Sequence, residues 1–282
     1  MQVIRNIQEM QQWSRQKRLQ GFKIGLVPTM GYLHEGHLSL VRTARQQCDV
    51  VIVSLFVNPM QFGVGEDFEE YPRDISRDVA LLENESADIL FAPEVRDMYP
   101  PGYSFLVETE GEITGKMCGA SRPGHFRGVT TVVSKLFNIC GPDKAYFGQK
   151  DAQQVTILEK MVKELNFPLE IIRVPIVREP DGLAMSSRNV YLSSEERREA
   201  LVLYRSLQAA EKAIREGEKS VEGIKEIITA VINSSPLAQI DYVEINRADD
   251  LGSIDRIEGA VLIALAVKFG TTRLIDNLIV EV

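Results

Sequence analysis

The sequence has few of the residues that usually build metal centres or disulfide frameworks. Only three cysteines and three histidines occur among its 282 residues. Cys48, Cys118 and Cys140 are odd in number and widely spaced, and none belongs to a Cys-x-x-Cys pair. This pattern predicts free thiols in a reducing cytoplasm and indicates no zinc site built from cysteine.

A long apolar run and an excess of basic charge are also missing. The longest apolar run, residues 260–267, is far shorter than the roughly 20 residues that span a bilayer, and it is typical of a buried strand. Residues 1–6 contain no apolar core of signal-peptide length. A net charge of −8 argues against a surface that binds nucleic acid, although a local cluster of cations can still hold an anionic substrate. We therefore expect a cytoplasmic protein without membrane or nucleic-acid partners.

Short β-rich runs alternate with amphipathic runs over the first 175 or so residues. Such alternation predicts a parallel sheet with helices on both faces. The predicted strands are 23–27, 50–56, 89–91, 144–147 and 170–174. The predicted helices are 36–47, 73–85, 130–139 and 152–165. We predict the α/β fold class, with a Rossmann-like, doubly wound parallel sheet in a domain over residues 1–176.

The pattern changes after residue 176, where helices are followed by strands. Ser193 and Glu196 form a capping-box signature that predicts a helix over 195–215. A second predicted helix and three predicted strands cover 221–233, 240–246, 260–267 and 274–280. We predict a smaller α+β C-terminal domain over residues 177–282. Two glycine-containing loops, 61–66 and 111–128, are long enough to act as lids.

The most informative motif lies where the first predicted strand passes into a helix. His34 and His37 are three residues apart, so both imidazoles are expected on one face of the first turn. Unpaired backbone N–H groups at a helix start favour phosphate. The motif therefore predicts a cradle for the α-phosphate of a nucleotide, with two donors that stabilise charge in the transition state. A zinc site would need a third ligand nearby, and Glu35 is expected to project elsewhere.

A second predicted strand-to-helix junction contains Lys150 and Asp151. A lysine beside a glycine turn at the carboxyl edge of a sheet is well placed to pair with phosphate. Asp151 and Gln154 also have the spacing of a capping box, which alone explains both residues. The pattern leaves both interpretations open.

Three further stretches have weaker patterns. Ser-Ser-Arg at 186–188 can bind phosphate oxygens, and such sequences are also common in surface loops. Gln61, at the end of a strand, can bind a hydroxyl group or a carboxylate. The basic, turn-rich stretch 121–128 either guards an anionic site or forms a solvated loop.

Five stretches, taken in order, resemble the pantoate–β-alanine ligase family. They are residues 27–37, 56–62, 122–128, 146–151 and 185–189, and the similarity covers essentially the whole chain. The His-x-Gly-His motif alone is typical of the wider nucleotidyltransferase superfamily. One position departs from the family pattern, because Met60 stands where a threonine or a similar residue is expected.

The resemblance implies a ligation in two steps. The carboxylate of (R)-pantoate attacks the α-phosphorus of ATP, which gives pantoyl adenylate and pyrophosphate. The amine of β-alanine then attacks the activated carbonyl, which gives pantothenate and AMP. The family is dimeric, and its smaller C-terminal domain closes over the Rossmann-like domain. Mg²⁺ would accompany the phosphates, and Asp74, Asp78 and Asp151 are equal candidates to assist it.

The resemblance also implies which residues form the site. The position of His37 is the active-site acid of the family, and we expect His34, His37, Lys150 and Arg188 to act in catalysis. Gln61 and Gln154 are expected to bind pantoate, and Gln61 also β-alanine. The residues expected to bind ATP are Met30, Gly31, Tyr32, Leu33, His34, Glu35, Gly36, His37, Gly148, Gln149, Lys150, Asp151, Val177, Met185, Ser186, Ser187 and Arg188.

Three other functions share parts of these patterns. A nucleotidyltransferase that keeps the nucleotide in its product would have the same His-x-Gly-His turn. A catalytic core like that of an aminoacyl-tRNA synthetase is a second alternative, and the acidic composition counts against it. A nucleotide-binding module without catalysis is the third. Analysis of the product discriminates among them.

Overall fold

The computed structural model describes residues 1–282, which form two compact units. Unit 1 comprises Met1–Thr109, Arg122–Gln149 and Ile157–Pro175. Unit 2 comprises Glu110–Ser121, Lys150–Thr156 and Ile176–Val282. Two short segments that precede residue 176 thus belong to unit 2. No helix in the chain is long and apolar enough to cross a membrane.

Unit 1 is built around a six-stranded parallel sheet with the strand order β1-β4-β3-β2-β5-β6. The strands are β1 (Gln2–Ile4), β2 (Ile24–Thr29), β3 (Val50–Leu55), β4 (Ile89–Phe91), β5 (Lys144–Gly148) and β6 (Glu170–Val174). The central strands β2, β3 and β4 are almost entirely buried, as expected for parallel strands that are covered on both faces. The predicted Rossmann-like sheet is confirmed.

Seven helices precede residue 165. They are α1 (Ile7–Leu19), α2 (Glu35–Gln47), α3 (Ile75–Asn84), α4 (Val95–Met98), α5 (Met117–Ser121), α6 (His125–Cys140) and α7 (Ala152–Glu164). β1 and α1 were not predicted from the sequence. Asn6 begins α1 by accepting a hydrogen bond from the backbone N–H of Glu9 at 3.0 Å, and Met10 is completely buried.

Helix α6 begins at His125, five residues before its predicted start. Gly124 precedes it with a left-handed φ of 82°, so the stretch that was expected to be a loop forms the first turn. A Cβ at Gly128 would lie 2.2 Å from the carbonyl oxygen of Met60. Glycine therefore lets α6 pack closely against the 3-10 turn Pro59–Gln61.

The prediction of a continuous loop over 111–128 is therefore wrong. Besides the first turn of α6, the stretch contains a 3-10 turn, Glu112–Thr114, and helix α5. Its glycines suggested a loop, but Ile113, Met117 and Cys118 are buried and give these short elements apolar contacts.

Unit 2 contains an antiparallel sheet with the order β7-β8-β9. Its strands are β7 (Ala238–Arg247), β8 (Ala260–Phe269) and β9 (Thr272–Glu281), and its later helices are α8 (Ser194–Glu199), α9 (Val202–Arg215) and α10 (Val221–Ile232). Leu207, Ile224 and Leu265 are completely buried in one apolar core. The predicted smaller α+β domain is confirmed as a fold class.

The single helix predicted over 195–215 is wrong, because α8 and α9 are separate. Ser193 begins α8 with the expected capping box, in which its hydroxyl oxygen accepts from the backbone N–H of Glu196 at 3.2 Å. The backbone N–H of Leu203 then donates to the carbonyl oxygen of Ala200 at 3.2 Å, which is the tighter bond of a 3-10 turn. Helix α8 buries none of its residues, whereas α9 buries an apolar stripe. The break lets the two segments face different surroundings.

Candidate active site

The turn that joins β2 to α2 has an uncommon backbone. Gly31 has a φ of 86° and Tyr32 has a φ of 49°, a left-handed conformation that is rare outside glycine. Asp78 of α3 holds this turn, because its two carboxylate oxygens accept from the backbone N–H groups of Tyr32 and Leu33, each at 2.8 Å. Burial raises the pKa of Asp78, and these two hydrogen bonds oppose the shift. Asp78 is only 1% exposed, so it acts as a support for the turn and is a poor candidate to assist magnesium.

The two histidines lie side by side at the start of α2, with ring centroids 4.1 Å apart. His34 is the N-cap residue, and its Nδ1 accepts from the backbone N–H of Gly36 at 3.1 Å. The Nδ1 of His37 accepts from the backbone N–H of His34 at 3.3 Å. A ring nitrogen that accepts an N–H carries no proton, so each neutral imidazole carries its proton on Nε2. Both rings therefore have an Nε2–H donor.

Glu35 lies between the histidines in sequence, but its side chain contacts Arg42. Arg42 also binds Glu85, with 2.6 Å between the guanidinium nitrogen Nη1 and the carboxylate oxygen Oε1. The carboxylate of Glu35 is therefore engaged along the helix. No group of three or more His, Cys, Asp or Glu side chains in the structure could hold a metal ion.

Gln61 is linked to the turn through Met30. Its Nε2 donates to the Sδ atom of Met30 at 3.1 Å, while its Oε1 accepts from the Nδ2 of Asn58 at 3.1 Å. Asn58 is 1% exposed and begins the 3-10 turn that ends at Gln61. Asn58 was not predicted to be a site residue, although asparagine before proline is a common turn signal.

The basic stretch, residues 121–128, contacts the backbone carbonyl of Gln61. Arg122 binds Glu66 with two nitrogens, Nε at 2.7 Å and Nη2 at 2.6 Å, and its Nη1 lies 3.1 Å from the Nε2 of His125. The Nδ1 of His125 is 2.8 Å from the carbonyl oxygen of Gln61. Although burial opposes the shift, the hydrogen bonds from Arg122 lower the pKa of Glu66 to about 2. The stretch is therefore structured around Gln61 and is not a solvated loop.

Lys150 belongs to unit 2, where its backbone is tied to β9. The Nδ2 of Asn277 donates to the carbonyl oxygen of Lys150 at 2.9 Å. The lysine Nζ is 3.4 Å from the Oδ2 of Asp151, and its side chain is 21% exposed. The neighbouring residue of β9, Asp276, is bound by two nitrogens of Arg178, at 2.6 and 2.9 Å. Burial raises the pKa of Asp276, and this arginine opposes the shift.

The Ser-Ser-Arg stretch also belongs to unit 2 and begins a 3-10 turn, Ser187–Tyr191. The hydroxyl oxygen of Ser186 accepts from the backbone N–H of Arg188 at 3.2 Å. The backbone N–H of Met185 donates to the carbonyl oxygen of Val177 at 3.0 Å, which brings these two expected ATP-binding residues together. Gln154 lies on the first turn of α7 and is partly exposed.

The expected site residues thus form two sets. Met30, His34, His37 and Gln61 belong to unit 1. Lys150, Gln154 and the Ser-Ser-Arg stretch belong to unit 2. Gly148 ends β5 in unit 1, and Gln149 follows it in a 3-10 turn that runs into α7.

Comparisons with known proteins agree over the whole chain. The family model described as pantoate-beta-alanine ligase matches residues 2–279. The pantothenate synthetase of Syntrophomonas wolfei is 68% identical to the chain, over 100% of both proteins. A crystal structure of pantothenate synthetase from Thermus thermophilus has a TM-score of 0.94 and 44% identity, and the match covers 99% of both chains.

A further solved structure carries ligands. It is the pantoate-beta-alanine ligase from Francisella tularensis complexed with beta-gamma ATP and beta-alanine. It has a TM-score of 0.82 and 36% identity, and the match covers 99% of this chain and 97% of that one. Sequence and structure agree from end to end, and the chain belongs to the pantoate–β-alanine ligase family.

Proposed function

We propose that this chain condenses (R)-pantoate with β-alanine in an ATP-dependent reaction through pantoyl adenylate, and releases pyrophosphate and AMP. The observation that carries the proposal is the pair of histidine rings at the start of α2, each with its Nδ1 held by a backbone N–H, while Gln61 contacts Met30 of the same turn. Membership of the family and the ligands of the Francisella tularensis relative support it.

His34 and His37 are proposed to act on the α-phosphate of ATP. When the pantoate carboxylate attacks, negative charge grows on the phosphate oxygens. Donors that are already oriented stabilise this charge without reorganising, and mutational loss of one such donor typically costs about 10²–10³ in kcat. Because backbone N–H groups hold both Nδ1 atoms, each ring keeps its Nε2–H as a donor.

Lys150, Ser186, Ser187 and Arg188 are proposed to hold the departing pyrophosphate. A lysine supplies a point charge, and an arginine supplies paired N–H donors that match phosphate oxygens. The hydrogen bond from Asn277 to the carbonyl oxygen of Lys150 holds the backbone from which the lysine side chain extends. The remaining residues expected to bind ATP are proposed to do so.

Gln61 and Gln154 are proposed to bind pantoate, and Gln61 also β-alanine. A neutral amide orients a carboxylate and leaves its negative charge available for attack. An arginine would strengthen binding of the ground state without lowering the barrier.

Magnesium is proposed to enter with ATP as part of the substrate. Mg²⁺ usually keeps several waters and takes one or two protein carboxylates besides phosphate oxygens. Asp74 caps α3, with its Oδ1 accepting from the backbone N–H of Arg77 at 3.0 Å, and Asp78 supports the turn. Asp151 has a side chain that is 47% exposed, and its Oδ2 lies 3.4 Å from the Nζ of Lys150.

A homodimer and a cytoplasmic location are also proposed. Phe105 and Leu106, in the segment between α4 and α5, are 84% and 46% exposed and offer apolar surface for a second copy of the chain. Light scattering that gives the mass of a single chain would contradict the dimer. The three cysteines are free and buried, which suits a reducing compartment.

Product analysis tests the proposed function. We expect release of AMP and pyrophosphate that requires both pantoate and β-alanine, together with formation of pantothenate. A nucleotide conjugate as the product would identify a nucleotidyltransferase. ATP binding without pantoate-dependent pyrophosphate release would indicate a module without catalysis.

A further inference from the structure

The side chain of Asn58 uses its full hydrogen-bonding capacity. Its Oδ1 accepts from the hydroxyl group of Tyr99 at 2.8 Å and from the backbone N–H of Met60 at 3.3 Å. Its Nδ2 donates to the Oε1 of Gln61 and to the carbonyl oxygen of Gly128, both at 3.1 Å. An amide has two donors and two acceptor lone pairs, so no capacity is left.

The two backbone partners determine which way this amide faces. A reversed Asn58 would set its NH₂ group against the N–H of Met60 and its oxygen against the carbonyl of Gly128. Because Asn58 is 1% exposed, water cannot compensate for these losses. The Tyr99 hydroxyl must therefore be the donor, and it makes the shorter of the two bonds to Oδ1.

The orientation of Asn58 determines the orientation of the Gln61 amide. Since the Oε1 of Gln61 accepts from Asn58, its Nε2 is the end that remains for a ligand. The protein partner of this nitrogen is a thioether sulfur, the Sδ of Met30, which is a weak acceptor. A group that binds here must supply an acceptor, such as a carboxylate or hydroxyl oxygen.

The ring of Tyr99 is held without help from its hydroxyl. It packs against Phe56 and Tyr103, with ring centroids at 6.0 and 5.1 Å, and the Nζ of Lys135 lies 5.8 Å from its centroid. The backbone N–H of Tyr99 donates to the carbonyl oxygen of Val95 at 2.7 Å. Burial raises the pKa of Tyr99, so the hydroxyl stays protonated near neutral pH.

We propose that Tyr99 is a positioning residue for pantoate: through Asn58, its hydroxyl keeps the amide nitrogen of Gln61 directed at the substrate acceptor. The inference rests on the proposed binding of pantoate by Gln61. Without the hydroxyl, the backbone partners still set which way Asn58 faces, but its Oδ1 keeps only the longer bond to Met60. Asn58 then holds the Oε1 of Gln61 less tightly.

Tyr99→Phe tests the proposal, because it removes the hydroxyl and keeps the ring. We expect the pantoate kcat/KM to fall about fivefold, the change that corresponds to one net hydrogen bond, with the ATP KM unchanged. Tyr103→Phe is the matched control. Its ring packs in the same cluster but its hydroxyl has no hydrogen-bond partner, so the pantoate kcat/KM should stay unchanged.

A double-mutant cycle with Gln61→Ala separates positioning from a general loss of structure. If Tyr99 acts through Gln61, then Tyr99→Phe has no further effect on pantoate kcat/KM in the Gln61→Ala background. The same fivefold loss in that background, or no loss in the single variant, would overturn the proposal. A wild-type protein without pantoate-dependent turnover would instead overturn the proposed function.

Discussion

Two parts of unit 1 show how differently a site can be encoded. In the phosphate turn, residues 30–37, backbone N–H groups of the turn itself hold both histidine rings, and Asp78 supports the backbone from a distant segment. The amide cluster, made of Asn58, Gln61 and Tyr99, joins four separate segments of the chain, because it also contacts Met30 and Gly128. A short motif can therefore specify the first part, whereas only the folded chain assembles the second.

The comparison predicts that the phosphate turn carries catalysis and the amide cluster carries substrate recognition. His37→Ala should lower kcat by about 10²–10³, roughly 3–4 kcal/mol, because one donor to the transition state is lost. AMP release by the purified variant measures this. A folded variant with near-normal turnover would contradict the assigned role.

His37→Asn is the matched control for His37→Ala. The Oδ1 of asparagine can accept the backbone N–H of His34 in place of Nδ1, so the helix start keeps its cap. We expect this variant to unfold at close to the wild-type temperature and to lose activity like His37→Ala. Equal activity in the asparagine variant and the wild type would assign His37 to capping alone.

Lys150→Ala extends the comparison to unit 2. We expect kcat to fall by about 10²–10³, because the departing pyrophosphate loses a cationic partner. Lys160→Ala is the control, since that lysine pairs with Glu164 on an exposed face of α7. Pyrophosphate release measures both, and equal turnover in the two variants would exclude Lys150 from the chemistry.

Gly128→Ala should disturb the amide cluster and leave the phosphate turn intact. The added Cβ would lie 2.2 Å from the carbonyl oxygen of Met60, so either α6 or the turn Pro59–Gln61 must move. Such overpacking typically costs about 1–3 kcal/mol of the free energy of unfolding. We expect a higher pantoate KM with the ATP KM unchanged. A proportional rise in both constants would show that the two parts are not independent.

Acid should change the free energy of unfolding with opposite signs at Glu66, which lies beside the amide cluster, and at Asp78, which supports the phosphate turn. We expect this effect to be the smallest. The folded pKa of Glu66, about 2, lies below its ordinary value of 4.5, so its ion pair with Arg122 stabilises the protein above pH 4.5. This contribution is lost as the pH falls towards 2. Burial raises the pKa of Asp78, so protonation of this carboxyl group as the pH falls favours the folded state, the opposite of the effect at Glu66.

Denaturant unfolding of Glu66→Gln between pH 7 and pH 2 measures the contribution of Glu66. We expect the variant to be less stable than the wild type at pH 7, and the difference to disappear near pH 2. A difference that stays constant across this range would show that the charge of Glu66 is not its source.

Much of the fold could be predicted because its signals are local. Strand and helix alternation marked the central sheet, and the capping box at Ser193 marked the start of α8. β1 and α1 were not predicted because β1 has only three residues, and α1 buries only Met10 and Ser14, so neither has a strong apolar pattern. The break between α8 and α9 was missed because their different surroundings arise only in the folded unit.

In the candidate site, too, the local features could be predicted and the long-range contacts could not. The spacing of His34 and His37 indicated a shared helix start, because both lie within one turn. The roles of Asp78 and Gly128 depend on contacts across about 45 and 70 residues of chain, and no local pattern encodes such contacts. Tyr99 acts through Asn58, so its importance is visible only from the hydrogen bonds of the folded chain.

The central claim is that the carboxylate of pantoate attacks the α-phosphorus of ATP. Pantoate labelled with ¹⁸O in both carboxylate oxygens tests it directly, because the attacking oxygen stays on phosphorus when the amine displaces AMP. The account predicts one ¹⁸O atom in each AMP released during pantothenate formation, as measured by mass spectrometry. Unlabelled AMP, formed at the same rate as pantothenate, would contradict it.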